Sequence, residues 1–246
     1  MQTFYFTDPG KVRSHNEDSV TILNKNNEEF VLAIADGMGG HKAGEIASSI
    51  AIEHIRKSFH ELDTIGNKED AIEWLRTIVK EINKEIFKYA KDNPESKGLG
   101  TTLVIAIKTN DYILYGNIGD SSGYVIKNNI LHKVTKDHTY VGMLITNGHL
   151  TEESAKNHPG KNLLTRALGA NDPIEIDIFD IDTSVKGLFL CSDGLTNLLT
   201  DEQIEKILNS NLSIEEAVVK LIRKANSRGG TDNISIAYLK KESGEL

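Results

Sequence analysis

A single cysteine, Cys191, is the only thiol in this chain. That excludes an intrachain disulfide and any cysteine-rich metal site, and it fits a reducing compartment. Prolines are also scarce, four in all and scattered, and no Pro-, Gly- or Ser-rich linker interrupts the sequence. The 246 residues are therefore read as one domain, 1–246, long enough to bury a core without covalent staples. No internal repeat is present. No run approaches the ~18 apolar residues of a membrane span, and the opening MQTFYFTDPGKVR lacks the charged and apolar regions of a secretory leader. The expectation is a soluble, cytoplasmic protein with no membrane partner. Positive charge is in deficit too: 28 Lys and Arg against 36 Asp and Glu give a net charge of −8, which argues against nucleic acid or anionic lipid as the main ligand.

What is present is a succession of short β-rich runs and amphipathic helices. TFYFT, SVTILN and EFVLAIAD open the chain, with the turn-forming NKNNE between the last two, and predict an antiparallel start. The period then changes. Ala47, Ile50, Ala51, His54, Ile55 and Phe59 fall on one helical face, and Ile72, Leu75, Val79, Ile82, Ile86 and Tyr89 on another, the second helix running from an Asn67 cap to just before Pro94. GTTLVIAIKT, YILYGNIGD, GYVIKNN and ILHKVT read as a meander of strands. The polar stretch 137–162, with His138, His149 and His158, predicts short helices on a flap. NLLTRAL, IEIDIFDI and GLFLCSDG look like strands, and two helices with capping boxes, Thr200 with Gln203 and Ser213 with Glu216, precede a last strand, NISIAYL. Consecutive strands with segregated helices predict an α+β fold, a four-layer α-β-β-α sandwich of two mainly antiparallel sheets flanked by helix pairs.

Several of these strands end on a carboxylate. VLAIADG stops at Asp36, LYGNIGDS at Asp120 and LFLCSDG at Asp193, Asp232 stands before NISIAYL, and Asp18 precedes SVTILN. One strand-end DG is an ordinary turn signal; several in one chain, flanked by small residues, are poorly explained as turns. Aspartates gathered at one sandwich edge would repel one another unless cations sat among them. An all-oxygen set suits Mg²⁺ or Mn²⁺ better than Zn²⁺. The glycines after Asp36 leave the backbone approachable, so the Gly37 carbonyl is a candidate ligand. GMGGHK places Lys42 where a dinucleotide fingerprint needs its third glycine, and it lacks the Walker pattern. Arg13, near Glu17 and Asp18 in DPGKVRSHNEDS, is either a solvated surface arginine or a bidentate phosphate clamp. Cys191, His54 and His60 read as structural.

Taken in order, TDPGKVRSHNEDS, LAIADGMGGHKAGEIAS, GTTLV, NIGDSSGYV, TKDHT, LLTRALG, FLCSDGLTN and GGTDNISIA resemble the bacterial branch of the PPM-type (type 2C) metal-dependent protein serine/threonine phosphatases. The resemblance runs from Thr7 to about Leu239. It implies a helix-flanked β-sandwich with a dinuclear Mn²⁺ or Mg²⁺ centre at one edge. By that resemblance Asp36 bridges both metals, the Gly37 carbonyl joins one of them, and Asp193 and Asp232 hold the other. Asp18, with neighbouring Glu17, matches the acidic pair near the cluster, and Asp120 with Asp193 matches a third, weaker metal site. Arg13 resembles the arginine that binds substrate phosphate, and 137–162 the variable flap. A water held between two metals bridged by Asp36 would attack phosphorus in line, with no phosphoenzyme. Relatives from animals commonly carry a histidine where this chain has Met38; His41 is nearby, and the general acid stays unassigned. Ser122 stands where relatives usually have arginine. The implied partners are phosphorylated proteins, among them a Ser/Thr kinase and its substrates, met by a monomeric enzyme. The competing readings are a phosphatase for an anti-anti-sigma factor, a small-molecule phosphomonoesterase, and a non-catalytic binding module on the same fold.

Overall fold

The computed structural model describes residues 1–39, 43–96, 98–155 and 158–241. Its strands form two sheets in which every neighbouring pair is antiparallel. The first contains β2 (Asp18–Lys25), β3 (Glu29–Met38), β5 (Leu103–Lys108), β6 (Ile113–Ile118) and β9 (Asp177–Ile181) in that spatial order, with the short β4 (Gly100–Thr101) beside β3. The second runs β1 (Gln2–Asp8), β11 (Ile234–Lys240), β10 (Gly187–Cys191), β7 (Ser122–Lys127), β8 (Ile130–Lys133).

The uninterrupted apolar run of β3 follows from burial on both faces. Val31, Ala33 and Ala35 pack against α1 (Ala43–Glu61) and α2 (Lys68–Asp92), meeting Ala47, Ala51, Ile55 and Ile82. The alternate residues Leu32 and Ile34 turn inward, where they join Leu188 and Leu190 of β10 and Leu239 of β11 between the sheets. On the far side Phe189, Cys191, Ile236 and Tyr238 pack against α6 (Asp201–Leu208) and α7 (Ile214–Ser227). Helix pair, sheet, sheet and helix pair are thus the four expected layers. Cys191 is fully buried in that core. The caps are also as expected: Asn67 and Asp70 close a reciprocal box at α2, Ser213 and Glu216 at α7, and Gln203 Oε1 accepts from the Thr200 N–H at 3.4 Å. His54 ties α1 to α2, its two ring nitrogens 2.9 Å from Glu85 and 3.2 Å from Glu81.

Three expectations are corrected. The chain does not open as one antiparallel group, because β1 pairs with β11 in the second sheet while β2 and β3 pair in the first. The meander is split: β5 and β6 belong to one sheet, β7 and β8 to the other, and the chain crosses between them at 119–121 with Gly119 at φ 98°. NLLTRAL is not a strand; it makes only the isolated bridges Thr139↔Leu164 and Thr101↔Leu168. Its strand-like pattern arises because Ala167 and Leu168 are buried beneath the sheet edge. IEIDIFDI is a strand over Asp177–Ile181 alone. The stretch 137–162 holds α3 (Tyr140–Thr146) and α4 (Glu152–Ala155). Among the described residues no helix is long and apolar enough to cross a membrane.

Candidate metal and phosphate site

The β2–β3 hairpin sets the first two carboxylates opposite each other, since its register pairs Asp18 with Asp36. The backbone of Asp36 is clamped from both sides: its N–H donates to Thr102 Oγ1 at 3.0 Å, and its carbonyl accepts from the Thr102 N–H and Thr101 Oγ1, each at 2.9 Å. Asp120 lies in the crossing between sheets. Asp193 opens the short helix α5 (Asp193–Thr196) just after β10, and Asp232 lies two residues before β11. The same sandwich edge therefore receives carboxylates from both sheets and from the link between them.

Gly37 sits where a side chain has no room. A Cβ there would stand 2.1 Å from the Gly44 carbonyl oxygen and 2.6 Å from that of Glu17, while the Gly37 N–H donates to Glu17 O at 3.1 Å. The glycine keeps the backbone of β3 against the segment that carries Glu17 and Asp18.

A cavity of about 970 Å³ opens at this edge, lined by Arg13, Asp36, Gly37, Asp120, Asp193 and Asp232. Arg13 is half exposed and donates to Asp232 Oδ2 at 2.8 Å. Asp18 is the one predicted ligand outside that lining. It is buried, and its Oδ2 accepts from Ser192 Oγ at 2.8 Å, whereas neighbouring Glu17 does line the cavity. His41 lies outside the described residues, and Met38 is part of the wall.

The electrostatics are those of carboxylates crowded together with little cation. Burial, followed by the charges of Asp18, Asp193, Asp120 and Asp232, pushes Asp36 well above the usual carboxylate range. Burial raises Asp18 to about 7, a rise that the hydroxyls of Ser235 and Ser192 reduce and Asp193 and Asp232 increase. Asp120 is also raised to about 7, by burial and then by Asp193 and Asp137. Burial and Asp232 raise Asp193, against hydrogen bonds from Asn197 and Asp36.

This donor set fits a hard divalent cation. All its ligand atoms are oxygens, its charges are mutually repulsive, and the buried Asp18 Oδ1 has no hydrogen-bond partner among the described residues. The carboxylates are not closed into a finished ligand cage: among the described residues no three Asp, Glu, His or Cys side chains are grouped for one ion. Protein donors hold them instead, Asn197 on Asp193 at 2.9 Å and Arg13 on Asp232.

Residues without a sequence-level role complete the site. Asn233 is buried, accepts from the Glu17 N–H at 2.8 Å, and donates to the carbonyls of Pro9 at 3.0 Å and His15 at 2.9 Å. One amide thereby pins the loop that presents Arg13. Arg166 and Leu163–Thr165 line the cavity as well. Asn233 and Arg166 stood inside the quoted motifs GGTDNISIA and LLTRALG, and that placement was the only available signal.

The family model for protein phosphatase 2C matches residues 11–232. The serine/threonine phosphatase stp of Listeria monocytogenes is 39% identical over 243 residues, covering 98% of this chain and 96% of the relative. The protein phosphatase PhpP of Streptococcus pneumoniae is 34% identical, with 97% of each chain covered. Among solved structures, the S. agalactiae serine/threonine phosphatase superposes with a TM-score of 0.92 at 32% identity, covering 98% of this chain and 99% of the other. The Mycobacterium tuberculosis serine/threonine phosphatase PstP/Ppp does so with a TM-score of 0.87 at 33% identity, with coverage of 98% and 99%.

Proposed function

The chain belongs to the protein phosphatase 2C family, as a bacterial serine/threonine protein phosphatase, and from that premise we propose that it is metal-dependent and removes phosphate from phosphoserine and phosphothreonine in proteins. Its substrates would include a Ser/Thr kinase and that kinase's targets. Asp36, the Gly37 carbonyl, Asp193 and Asp232 would hold two Mn²⁺ or Mg²⁺ ions, with Asp18 completing the acidic set and Asp120 available to a third. When bound, the ions offset charge on the phosphoryl oxygens and make water acidic enough to act as nucleophile near neutral pH.

The chain's own residues do the positioning. Arg13 faces the cavity with a planar guanidinium suited to two oxygens of a phosphomonoester dianion. Its 2.8 Å bond to Asp232 keeps it beside the carboxylates while the phosphate is absent. The Asn233 amide fixes the loop that carries it, and the threonine clamp fixes the backbone of Asp36, so carboxylate and arginine meet the substrate from rigid supports.

The observation that carries this reading is the arrival of Asp36, Asp120, Asp193, Asp232 and Arg13 at one cavity from both sheets. Phosphate release from a phosphothreonine peptide is the test, run with Mn²⁺, with excess chelator, and with Asp232→Ala. Release that needs both the metal and Asp232 is the expected result. Equal release in chelator, or from Asp232→Ala at saturating Mn²⁺, overturns it. No release from a folded protein that binds Mn²⁺ favours a binding module.

A further inference from the structure

His138 lies where the Asp120 loop, the flap and β9 meet, and both of its ring nitrogens are engaged. Nδ1 accepts from the Gly119 backbone N–H at 3.1 Å, so Nε2 carries the proton and donates to Asp177 Oδ2 at 3.0 Å. Only 9% of the residue is exposed, and burial lowers its pKa, which favours this neutral tautomer. The backbone is tied in as well: the His138 N–H donates to Gly119 O at 2.9 Å, and its carbonyl accepts from the Thr165 N–H at 2.8 Å. Asp177 then uses its other oxygen, Oδ1, to accept from Arg166 at 2.5 Å, and Arg166 also donates to Glu175 O at 3.4 Å.

Arg166 lines the same cavity as Arg13. A continuous hydrogen-bonded chain therefore runs from the Gly119 N–H, one residue before Asp120, through His138 and Asp177, to a guanidinium at the substrate cavity. Phosphate recognition by Arg13 uses none of it.

We propose that His138 is a positioning residue of the hydrolysis: its Nδ1 fixes the Gly119–Asp120 backbone, and its Nε2, through Asp177, fixes Arg166 as a second cation that holds the anionic substrate. The inference rests on the phosphatase reading above. Neither Asp177 nor His138 touches substrate; Arg166 does. The charges of Asp36, Asp120, Asp193 and Asp232 would be offset by the ions they hold, and the guanidinium of Arg166 adds a fixed positive charge at the cavity wall for an anionic substrate.

The test compares Arg166→Ala, His138→Asn and Asp177→Asn with the double variant Arg166→Ala/His138→Asn. Asparagine at 138 can still accept from the Gly119 N–H near the Nδ1 position but does not reach Asp177. Loss of one charge-assisted contact corresponds to about tenfold in binding. Arg166→Ala is expected to raise KM for a phosphothreonine peptide by about that factor with kcat nearly kept. His138→Asn and Asp177→Asn raise KM in the same direction, and the double variant raises it no further than Arg166→Ala alone, because both changes remove one interaction.

Nitrogen-15 NMR of the metal-free protein supplies a readout independent of turnover and should show His138 as the neutral Nε2–H tautomer. Additive KM effects, an unchanged KM in Arg166→Ala, or an Nδ1–H tautomer overturns the inference. Wild-type protein without Mn²⁺-dependent release defeats the function reading before any variant is compared, which separates the two failures.

Discussion

Asn233→Ala should loosen the phosphate arm of the site without touching a carboxylate. The native amide is 5% exposed and makes three hydrogen bonds, to the Glu17 N–H and to the Pro9 and His15 carbonyls. A protein hydrogen bond is worth about 1 kcal/mol net. Pro9 and His15 are exposed residues, so water takes over part of what their carbonyls lose. The half-buried Glu17 N–H has less such help. The expected cost is about 2–3 kcal/mol, with about 1 kcal/mol from each bond as the ceiling. At about 2–4 °C per kcal/mol for a chain of this size, Tm should fall by about 5–10 °C.

The kinetic consequence is smaller than loss of the arginine itself. Lys11 and Val12 still donate to Gly230 O, at 2.8 and 3.2 Å, and Arg13 keeps its bond to Asp232, so the loop stays tethered at its middle. KM for a phosphopeptide should therefore rise, but by less than in Arg13→Ala. Asn233→Asp is the sharper variant. It keeps the acceptor for the Glu17 N–H, loses both donors, and sets a second carboxylate next to Asp232, so it should destabilise at least as much as the alanine. Thermal unfolding in chelator and steady-state kinetics with Mn²⁺ measure both effects. A Tm within about 1 °C of wild type, together with an unchanged KM, would refute the tether.

Asp193→Ala removes a carboxylate that faces both Asp36 and Asp232, and turnover should be abolished; near-normal rates at saturating Mn²⁺ would sink its assignment as a ligand. Arg13→Ala should raise KM for a phosphopeptide more than it lowers kcat, because phosphate is held in ground and transition states alike, and an unchanged KM would remove Arg13 from the clamp. In chelator, stability should fall as pH climbs from about 4 to 7. Asp18 and Asp120, raised to about 7 from 3.8, hold protons in the folded state that the unfolded chain has released, so folding is favoured on the acid side of that window. Calorimetry at several pH values checks the slope, and a flat or rising profile across that window would contradict the crowding. At neutral pH, Mn²⁺ should raise Tm by mass action on the folded state, and a Tm indifferent to Mn²⁺ would speak against a built cation site.

The layers were legible because each helix and strand carries its own periodicity. Leu75, Val79, Ile82 and Ile86 repeat at helical spacing and are buried on one face of α2. The run FVLAIA shows no alternation, and burial on both faces of β3 explains why. Sheet membership was not legible. Strand signals at β6 and β7 look alike whether the link between them turns a hairpin or crosses the sandwich, and Gly119 permits either. NLLTRAL misled for a related reason. The apolar Leu163, Leu164, Ala167 and Leu168 mimic a strand, but Leu163 is exposed, Ala167 and Leu168 are buried side by side, and the backbone makes only isolated bridges, so no ladder forms.

The carboxylates and the residues that hold them differ in what a sequence can disclose. An aspartate at the end of an apolar run is out of place by itself, so Asp36, Asp120 and Asp193 announce themselves locally. Asn233, His138 and Arg166 are ordinary residues in ordinary turns. Their roles come from partners that no local pattern reveals: Asn233 reaches Pro9 across 224 residues, His138 reaches Asp177 across 39, and Arg166 reaches the same Asp177 across 11. Such pairs exist only once β11 lies beside β1 and the crossing at Gly119 has joined the sheets. The charged groups of this site are thus encoded in short motifs, while the supports that hold them in place are encoded in the topology. That is why Asn233→Ala is expected to raise KM for a phosphopeptide while every predicted ligand remains in place.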